Sequence, residues 1–482
     1  MVEQTQVIVV GAGPVGLMVA GELRLGGAEV IVLEQRTEIS EESRASTLHA
    51  RTMEIFDARG LLDDLGAPAN EQMGHFGGIP LDLTVESRFS GLWKVPQTRT
   101  EELLCSWTTA LGADLRRGWR VSAVRDDGDG VVVTAEADGR TRLLRAAFVV
   151  GADGTDSTVR ELLGAECVGE SATRELLRAD VVGIEIRPRR FERLERGFAV
   201  AARNPAGVTR LMVHRYGCSV GARSGEPSFA EVVRTWHEVT GEDIGRGRAL
   251  WVNAFDDTSR LLREYRTGRV FFVGDAAHQQ MPSGGQALNL GLQDAVNLGW
   301  KLAVGLDGTA DELLDSYHGE RHAVGSRILA NIRVQTELLL GGPQVESLRR
   351  ILGELIAQEQ VRAHLAGMIS GVDIRYPAEP GSHPWLGSRL PDLPRVAATA
   401  AATPREGRAV MLGFRHERVA ELRTAVRPWS HRVEVVSAGP DDRVGDDALL
   451  VRPDGYVVWA GSEDETPSAG LRRWFGAPRS VN

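Results

Sequence analysis

Cysteine and lysine are scarce in this chain of 482 residues. The three cysteines, Cys105, Cys167 and Cys218, stand far apart in the sequence. This spacing excludes a disulfide framework and a cysteine-rich zinc site within one chain, and it favours a reducing cytoplasm. Lys94 and Lys301 are the only lysines among 56 basic residues, and the arginines are scattered among acidic residues. With a net charge of -10 and no basic run, the sequence argues against nucleic acid as a partner.

Long apolar segments are also missing. No stretch approaches the roughly 20 residues that a membrane-spanning helix needs. Residues 1–6 lack the basic region and cleavage site of a signal peptide, and an apolar strand follows them directly. We therefore expect a cytoplasmic protein with no membrane partner. Its length predicts about three domains, since a globular domain has roughly 150 residues.

Hydrophobic periodicity predicts two kinds of sheet. A buried strand at Gln6–Val10, a helix at Leu17–Leu25 and a second strand at Glu29–Glu34 together predict a βαβ unit. Between about residues 175 and 265 the pattern changes to short alternating strands, such as Val181–Ile186 and Thr209–Val213. That region is typical of an antiparallel sheet inserted into the first domain.

The remaining elements begin with a short apolar strand at Arg269–Gly274. Apolar residues from Leu288 to Ala303 then recur on one face, which predicts a helix of about four turns. Near the C-terminus we expect a strand at Ala409–Gly413, a helix at His416–Val426 and a second strand. A hairpin follows, with Pro453-Asp454-Gly455 as its turn, and a last helix ends the pattern.

A GxGxxG motif, Gly-Ala-Gly-Pro-Val-Gly at residues 11–16, lies between the first strand and its helix. Gly11 permits a tight turn, Gly13 lets the backbone approach a pyrophosphate, and Gly16 allows close helix packing. Glu34, at the end of the second strand, places a carboxylate where it can bind two ribose hydroxyls. The pattern indicates a dinucleotide site for NAD or FAD. A glycine-rich turn beside a surface acid is the alternative.

Two further motifs follow apolar strands. Asp153 and Gly154 stand in a polar turn that leads into a helix, a pattern that a plain Asp-Gly turn also explains. Asp275 comes just beyond the strand at Arg269–Gly274, where its carboxylate is placed to bind the ribityl hydroxyls of a flavin. The glycine-rich loop Pro282–Asn289 then opens the long helix. The third motif favours a flavin as the bound cofactor.

In this order and spacing the three motifs resemble those of the class A flavoprotein monooxygenases of the para-hydroxybenzoate hydroxylase type. The resemblance implies non-covalently bound FAD. The residues expected to contact it are Gly11, Gly13, Pro14, Val15, Gly16, Glu34, Gln35, Arg36, Arg44, Gln97, Val121, Asp153, Gly154, Asp275, Pro282, Gly285, Ala287, Leu288 and Asn289. The backbone amides of the last two residues begin a helix and are suited to the negative charge of a reduced flavin.

Within this family the chain is most similar to the bacterial aromatic polyketide hydroxylases of angucycline and anthracycline biosynthesis. The likeness is carried by the stretches Arg44–Glu54, His278–Asn289, His383–Arg389 and Val451–Ala460. It implies hydroxylation of a polycyclic aromatic substrate through a C4a-hydroperoxyflavin, with O2 and NAD(P)H as co-substrates, NADPH being favoured. A homodimer is compatible with the same resemblance.

Other functions remain open on the same fold. They are a rifampicin-type or simple phenol monooxygenase, a Baeyer–Villiger or epoxidising oxygenase and, from a different class, a non-catalytic dinucleotide-binding protein. The sequence has no second GxGxxG, so we expect NAD(P)H to visit the flavin without a Rossmann domain of its own. His75, His214 and His278 are candidate proton carriers, but the sequence assigns none of them a catalytic role.

The implied fold class is α/β. A Rossmann-like FAD-binding domain (residues 1–175 and 269–375) carries an inserted antiparallel substrate domain (176–268), and a linker (376–394) leads to a thioredoxin-like domain (395–482). That last domain has no cysteine, which excludes thiol redox chemistry in it. Residues 76–96 are expected to contribute to the substrate pocket. Its candidate lining residues are Phe76, Phe89, Trp93, Met281 and Pro282, with core packing as the alternative role.

Overall fold

The computed structural model describes residues 2–39, 45–218, 220, 225–308, 311–379, 382–390, 407–439, 444, 448–461 and 465–479, so Arg44 lies outside the described residues. The strands are β1 Glu3–Val10, β2 Val30–Glu34, β3 Leu48–His49, β4 Asn70–Glu71, β5 Met73–Phe76, β6 Ile79–Asp82, β7 Leu92–Trp93, β8 Asp114–Arg117, β9 Arg120–Asp126, β10 Val131–Ala137, β11 Arg140–Gly151, β12 Cys167–Glu170, β13 Glu175–Val182, β14 Arg189–Leu194, β15 Gly197–Arg203, β16 Thr209–Arg215, β17 Arg248–Asp256, β18 Ser259–Leu262, β19 Arg266–Thr267, β20 Val270–Phe272, β21 His278–Gln279, β22 Ala409–Gly413, β23 Val433–Ser437, β24 Ala448–Val451 and β25 Val457–Gly461. The α-helices are α1 Pro14–Leu25, α2 Ala50–Ala58, α3 Leu62–Leu65, α4 Gln97–Ala110, α5 Thr158–Leu162, α6 Phe229–Thr240, α7 Gln286–Gly305, α8 Asp311–Leu340, α9 Glu346–Ile356, α10 Glu359–Ser370, α11 His416–Val426 and α12 Ser468–Phe475.

The main sheet is built around β1. Strand β1 pairs in parallel with β11 and β2, β11 pairs in parallel with β20, and β2 with β8. Because these strands run the same way, the turns that follow them meet at one edge of the sheet. The predicted βαβ unit is confirmed. Helix α1 begins at Pro14, three residues before the predicted Leu17, because the fixed φ of proline suits the first helical position.

The predicted antiparallel sheet is present and lies, in the sequence, between the two parts of the main sheet. It has five strands in the order β14-β15-β16-β13-β17. The predicted strand Val181–Ile186 is wrong. Strand β13 ends at Val182 because the chain turns at Gly183, whose φ of 77° is left-handed. Helix α6 covers one face of the sheet and was not predicted. Its fully buried Trp236 and its Ser228 cap, which accepts a hydrogen bond from the Glu231 amide, were the available signals.

Helix α7 crosses the centre of the molecule between α1 and α8. Every residue from Asn289 to Leu302 is buried, whereas the apolar spacing had predicted burial of one face. The difference comes from polar residues on the other face, among them Asp294, Asn297 and Lys301, which find partners on α8 and beyond. A helix that is buried all round is the usual consequence of packing on several sides.

The C-terminal sheet has the order β23-β22-β24-β25, with β22 and β23 parallel and the last two strands forming an antiparallel hairpin. Helix α11 connects the parallel pair, so the arrangement is thioredoxin-like, and the predicted strand, helix and hairpin are confirmed. In the described part of the predicted linker, Trp385, Leu386 and Leu390 pack on this sheet, and Tyr376 packs on Tyr456. Among the described residues, no helix has both the length and the apolar character that crossing a membrane would require.

The turn of the C-terminal hairpin inserts into the main domain. The guanidinium of Arg59, the residue directly after α2, donates to the Pro453 carbonyl at 2.9 Å and to both carboxylate oxygens of Glu22 on α1 at 2.6 and 2.8 Å. The side chains of Arg59 and Glu22 are each only 1% exposed. Burial raises the pKa of Glu22, so the paired guanidinium is what keeps a charge tolerable at this position.

We predict that Arg59→Met lowers the free energy of unfolding by about 3–5 kcal/mol, because it leaves a buried carboxylate without its counter-charge. Urea or thermal unfolding followed by circular dichroism measures the loss. Arg263→Met is the matched control, since Arg263 pairs with Glu166 at 3.0 Å on the open surface and its loss should be undetectable. Equal effects of the two substitutions would contradict the account.

Candidate cofactor and active site

The three glycine-containing motifs contact one another at the edge of the main sheet. Gly11 follows β1 with φ of 103°, and a Cβ atom there would lie 2.4 Å from the carbonyl oxygen of Ala152, just after β11. A Cβ atom on Gly274, after β20, would lie 3.2 Å from the side chain of Val15. Only glycine fits at Gly11, for conformation and for space. The close packing brings the first motif against both of the others.

Glu34 ties the end of β2 to the glycine loop. One carboxylate oxygen accepts a hydrogen bond from the amide of Ala12 at 2.7 Å, and the other accepts from the amide of Arg36 at 2.8 Å. A carboxylate offers about four acceptor positions, so two remain for ribose hydroxyls. The position that the sequence predicts for a ribose-binding acid is therefore held rigidly by the backbone.

A cavity of about 270 Å³ opens beside these loops. The residues that the sequence predicted for cofactor binding and that line this cavity are Gly11, Gly13, Glu34, Gln35, Arg36, Val121, Asp153 and Gly154. Trp119 and Arg120 also line it and were missed, because neither belongs to a motif. Segments from four separate parts of the sequence thus form one pocket.

The pocket has the features that a dinucleotide phosphate requires. A Cβ atom on Gly13 or Gly154 would meet no atom within 4 Å, so both positions face open space. Gly13 precedes Pro14 at the start of α1, and no side chain caps this helix. The free amides and the positive end of the helix therefore point into the cavity, which is the arrangement that binds a pyrophosphate. The residues present fit the adenosine diphosphate part of FAD.

Asp153, which lines the cavity, makes hydrogen bonds within its own turn. Its carboxylate accepts hydrogen bonds from the Ser157 hydroxyl at 2.5 Å and from the Val159 amide at 3.0 Å, at the start of α5. Burial raises the pKa of Asp153. The side chain thus shapes the turn that presents Gly154 to the cavity.

The second half of the predicted site is the cofactor loop, Pro282–Asn289, at the start of α7. The Asn289 side chain accepts from the His49 amide at 2.8 Å and from the Thr52 hydroxyl at 2.6 Å, and it donates to the Gly285 carbonyl at 2.8 Å. Its polar atoms therefore hold the loop against α2. The amides of Ala287, Leu288 and Asn289 lie in the first turn of α7, where backbone donors have no helical partner.

Gln97, the first residue of α4, contacts the segment that begins at Ala45. The side-chain oxygen of Gln97 accepts a hydrogen bond from the backbone amide of Ala45 at 3.1 Å. The backbone amide of Gln97 donates to the Ala45 carbonyl at 2.9 Å. Ala45 directly follows Arg44 in the sequence. Gln97 thus holds the residue that follows Arg44 in the sequence, while Arg44 itself lies outside the described residues.

Three buried polar atoms surround the cofactor loop without a hydrogen-bond partner among the described residues: His49 Nε2, Ser283 Oγ and Gln286 Nε2. His49 is only 1% exposed, and its Nδ1 lies 2.8 Å from the Ile369 carbonyl oxygen. Buried polar atoms nearly always have partners in folded proteins. Their clustering at this loop fits a site built for a polar ligand, and sequence reasoning missed all three.

Asp275 lies in the turn after β20 and is exposed at the edge of the sheet. Asp294 of α7 binds the residues on either side of Asp275. Its carboxylate accepts hydrogen bonds from the Gly274 amide at 3.3 Å and from His278 Nε2 at 2.7 Å. His278 is therefore a structural partner of a carboxylate.

The other two candidate histidines also make backbone contacts. His214 Nδ1 lies 2.8 Å from the Glu175 carbonyl, and His75 Nδ1 accepts from the Gly78 amide at 3.2 Å. Each of these contacts stabilises a local turn or strand.

The predicted substrate-lining residues lie in separate places. Phe76 packs against α9 and α10, and Phe89 and Trp93 form an edge-to-face pair on the main core. Met281 joins an apolar cluster beneath the inserted sheet, and the adjoining Pro282 is exposed. Of these five residues only Pro282 lies in the cofactor loop, and Met281 directly precedes it.

We predict that His49→Gln flattens the dependence of stability on pH between about 6.5 and 4. Burial lowers the pKa of His49 to about 4, whereas an unfolded histidine takes up its proton near 6.5. The unfolded state therefore binds the proton first, and the stability that the neutral ring supplies above pH 6.5 is lost as the pH falls towards 4. A pKa difference of this size corresponds to about 3 kcal/mol.

Urea unfolding at a series of pH values measures this slope. His237→Gln is the matched control, because His237 is exposed on α6 and its replacement should leave the slope unchanged. A slope in His49→Gln equal to that of the unaltered protein would show that His49 does not supply it.

Comparison with known proteins agrees with this geometry. The family model described as FAD binding domain matches residues 4–332, and the one described as aromatic-ring hydroxylase, C-terminal, matches residues 383–478. A 12-dehydrotetracycline 5-monooxygenase/anhydrotetracycline 6-monooxygenase of Streptomyces rimosus is 40% identical over 509 residues, which cover 98% of this chain and 99% of that protein. A rifampicin monooxygenase of Streptomyces venezuelae is 39% identical over 489 residues, covering 98% of each chain.

A solved structure extends the likeness to the fold. The crystal structure of CabE, an aromatic hydroxylase from angucycline biosynthesis, superposes with a TM-score of 0.93 at 44% identity, covering 98% of this chain and 100% of that one. Both the motif-bearing domain and the C-terminal domain fall within these matches. The chain therefore belongs to the FAD-binding aromatic-ring hydroxylases, among the aromatic polyketide hydroxylases, and is a FAD-dependent aromatic monooxygenase.

Proposed function

We propose that this enzyme hydroxylates a polycyclic aromatic polyketide of the angucycline type, with O2 and NADPH as co-substrates. The observation that carries the proposal is the full-length similarity to a hydroxylase from angucycline biosynthesis, at 44% identity and a TM-score of 0.93. The tetracycline-directed relative, at 40% identity, also has a polycyclic substrate in its name. Both similarities support a polycyclic aromatic substrate for this enzyme.

We assign FAD to the cavity at the glycine loops and to the cofactor loop. The ADP part would lie against Gly13, Glu34 and Gly154, and the flavin ring would lie near the first turn of α7. When bound, the flavin supplies the redox chemistry, taking a hydride from NADPH and activating O2 for transfer of one oxygen atom. The remaining work falls to the protein.

The positive end of α7 would stabilise negative charge on the reduced flavin. The amides of Leu288 and Asn289 are fixed because the Asn289 side chain is bound on both sides of the loop. Fixed donors stabilise negative charge without having to reorient when it develops. They would therefore favour the anionic form of the reduced flavin.

Water exclusion would be the second task. Met281, at the edge of the cofactor loop, packs with Leu176 and Phe198 of the inserted sheet and with Ile328 of α8 in one apolar cluster. An apolar cover over the reacting atoms protects them from hydrolysis and strengthens nearby electrostatic interactions. The inserted sheet is accordingly the part that we expect to hold an aromatic substrate beside the loop.

A second candidate is a rifampicin-type monooxygenase. It is favoured by one specific observation, the 39% identity to a rifampicin monooxygenase over 98% of both chains. The two candidates share the cofactor site and differ only in the aromatic compound that the substrate pocket accepts.

The test is NADPH oxidation in air by the FAD-loaded enzyme with a panel of aromatic compounds, combined with chromatographic analysis of products. We expect angucyclinones to stimulate NADPH oxidation and to gain a hydroxyl group. Stimulation by rifamycins alone would favour the second candidate. NADH replacing NADPH with equal efficiency would contradict the nicotinamide preference.

We further predict that Gly13→Ala and Gly11→Ala separate cofactor binding from folding. Gly13→Ala should leave the unfolding temperature of the apoprotein unchanged, since its Cβ meets no atom within 4 Å. It should weaken FAD binding tenfold or more, because that Cβ occupies the path of the pyrophosphate. A tenfold loss equals about 1.4 kcal/mol.

Gly11→Ala should instead destabilise the apoprotein, because its Cβ would lie 2.4 Å from the Ala152 oxygen. Fluorescence titration with FAD and thermal unfolding of the apoprotein provide the two readouts. Unchanged FAD affinity in Gly13→Ala would show that the pyrophosphate lies elsewhere.

A further inference from the structure

A buried string of polar and charged side chains begins at the C-terminal hairpin turn. Arg452 and Asp454 flank Pro453 in this turn and are 2% and 4% exposed. The Arg452 guanidinium donates to both carboxylate oxygens of Glu320 on α8, at 2.6 and 2.9 Å. Such a bidentate pair has a fixed geometry, so the turn is held in one orientation against the main domain.

The string continues from Glu320 to α7. Lys301 donates to Glu320 at 2.8 Å, and the amide of Asn297 donates to Glu320 at 2.7 Å. The same amide nitrogen lies 3.1 Å from Asp454 and 3.1 Å from the hydroxyl of Tyr376. The C-terminal turn, α7 and α8 therefore meet at a single side-chain amide.

Tyr376 connects this part of the string to Arg321, which follows Glu320 on α8. Its hydroxyl oxygen accepts from Arg321 at 3.2 Å, and Arg321 Nε donates to Asp294 at 2.7 Å. Arg321 and Asp294 are both 0% exposed. The other oxygen of Asp294 accepts from the Gly274 amide and from His278, on either side of Asp275.

The string is balanced in charge. Three cations (Arg452, Lys301, Arg321) face three carboxylates (Glu320, Asp454, Asp294). Burial opposes ionisation of the carboxylates at Glu320 and Asp294, but the neighbouring cations keep the pKa of each below its usual value. Removing one charge leaves another buried and uncompensated, so the string is expected to respond as a unit.

We propose that the C-terminal domain positions the Gly274–His278 segment of the cofactor site through this string, with the Tyr376 hydroxyl as the coupling group. Asp294 contacts the segment directly, and Tyr376 acts as a positioning residue through Arg321. The C-terminal domain is thereby part of the FAD-binding scaffold, although its sheet lies apart from the cavity. This inference rests on the assignment of FAD to that cavity and is independent of the substrate.

The test uses Tyr376→Phe, which removes one oxygen atom and keeps the ring that packs on Tyr456. We expect the dissociation constant of FAD to rise about three- to tenfold and amide exchange in residues 270–281 to accelerate, with exchange in residues 409–437 unchanged. Tyr216→Phe is the matched control, because the Tyr216 hydroxyl has no hydrogen-bond partner among the described residues. It should leave both quantities unchanged.

A double-mutant cycle tests whether Asp454 and Tyr376 are coupled. Asp454→Asn alone should weaken FAD binding, and this effect should shrink or vanish in the Tyr376→Phe background because the connection is already broken. Additive effects of the two substitutions would overturn the proposal. So would a lower unfolding temperature for Tyr376→Phe with unchanged FAD affinity and unchanged exchange at 270–281.

Failure of the cofactor assignment gives a different result. An unaltered protein that takes up no FAD would contradict the proposed function. If the unaltered protein binds FAD and Tyr376→Phe binds it with the same affinity, only the role of the string is contradicted. Should Asp454→Asn fail to fold, amide exchange in Tyr376→Phe still decides.

Discussion

The contact between the backbone of Gly11 and the carbonyl of Ala152 sets how closely the turns after β1 and β11 approach each other. With both strands parallel and buried, this approach determines where the amides at the start of α1 point. The cavity lined by Glu34, Asp153 and Gly154 exists because the two turns meet without a side chain between them. The rest of the cofactor site is arranged around that contact.

Helix α7 connects this edge to the remainder of the molecule. Its first turn supplies amides to the cofactor loop, and its middle carries Asp294, which binds the segment around Asp275. Its later turns carry Asn297 and Lys301, which reach the C-terminal hairpin turn through Glu320. One buried helix thus contacts all three parts of the fold, and its buried Asp294, Asn297 and Lys301 have partners on α8.

The sequence predicted those features that depend on local spacing. Glycine spacing located the turns after β1 and β20, and alternation or helical periodicity located most of the C-terminal elements, including the turn at Pro453. Burial of the polar face of α7 could not be predicted, because its partners lie far away in sequence. Asn297, for example, contacts Asp454 across 157 positions.

The same limit applies to the candidate site. The roles of Asn289 and His49 depend on contacts between α7 and α2, some 240 positions apart. Phe76, Phe89 and Trp93 are close in sequence, but the fold sends Phe76 into a different apolar cluster from the other two. Motif matching finds residues that bind a common cofactor, whereas the walls of a substrate pocket are set by tertiary packing.

We propose that the FAD-loaded enzyme transfers one atom of molecular oxygen to an aromatic ring. Mass spectrometry of the product formed under ¹⁸O2, with NADPH and a stimulating aromatic compound, tests it most directly. We expect one heavy oxygen atom to enter the product and none to enter it from labelled water. A product whose new oxygen comes from water, or NADPH oxidation that yields only hydrogen peroxide with every aromatic compound, would contradict it.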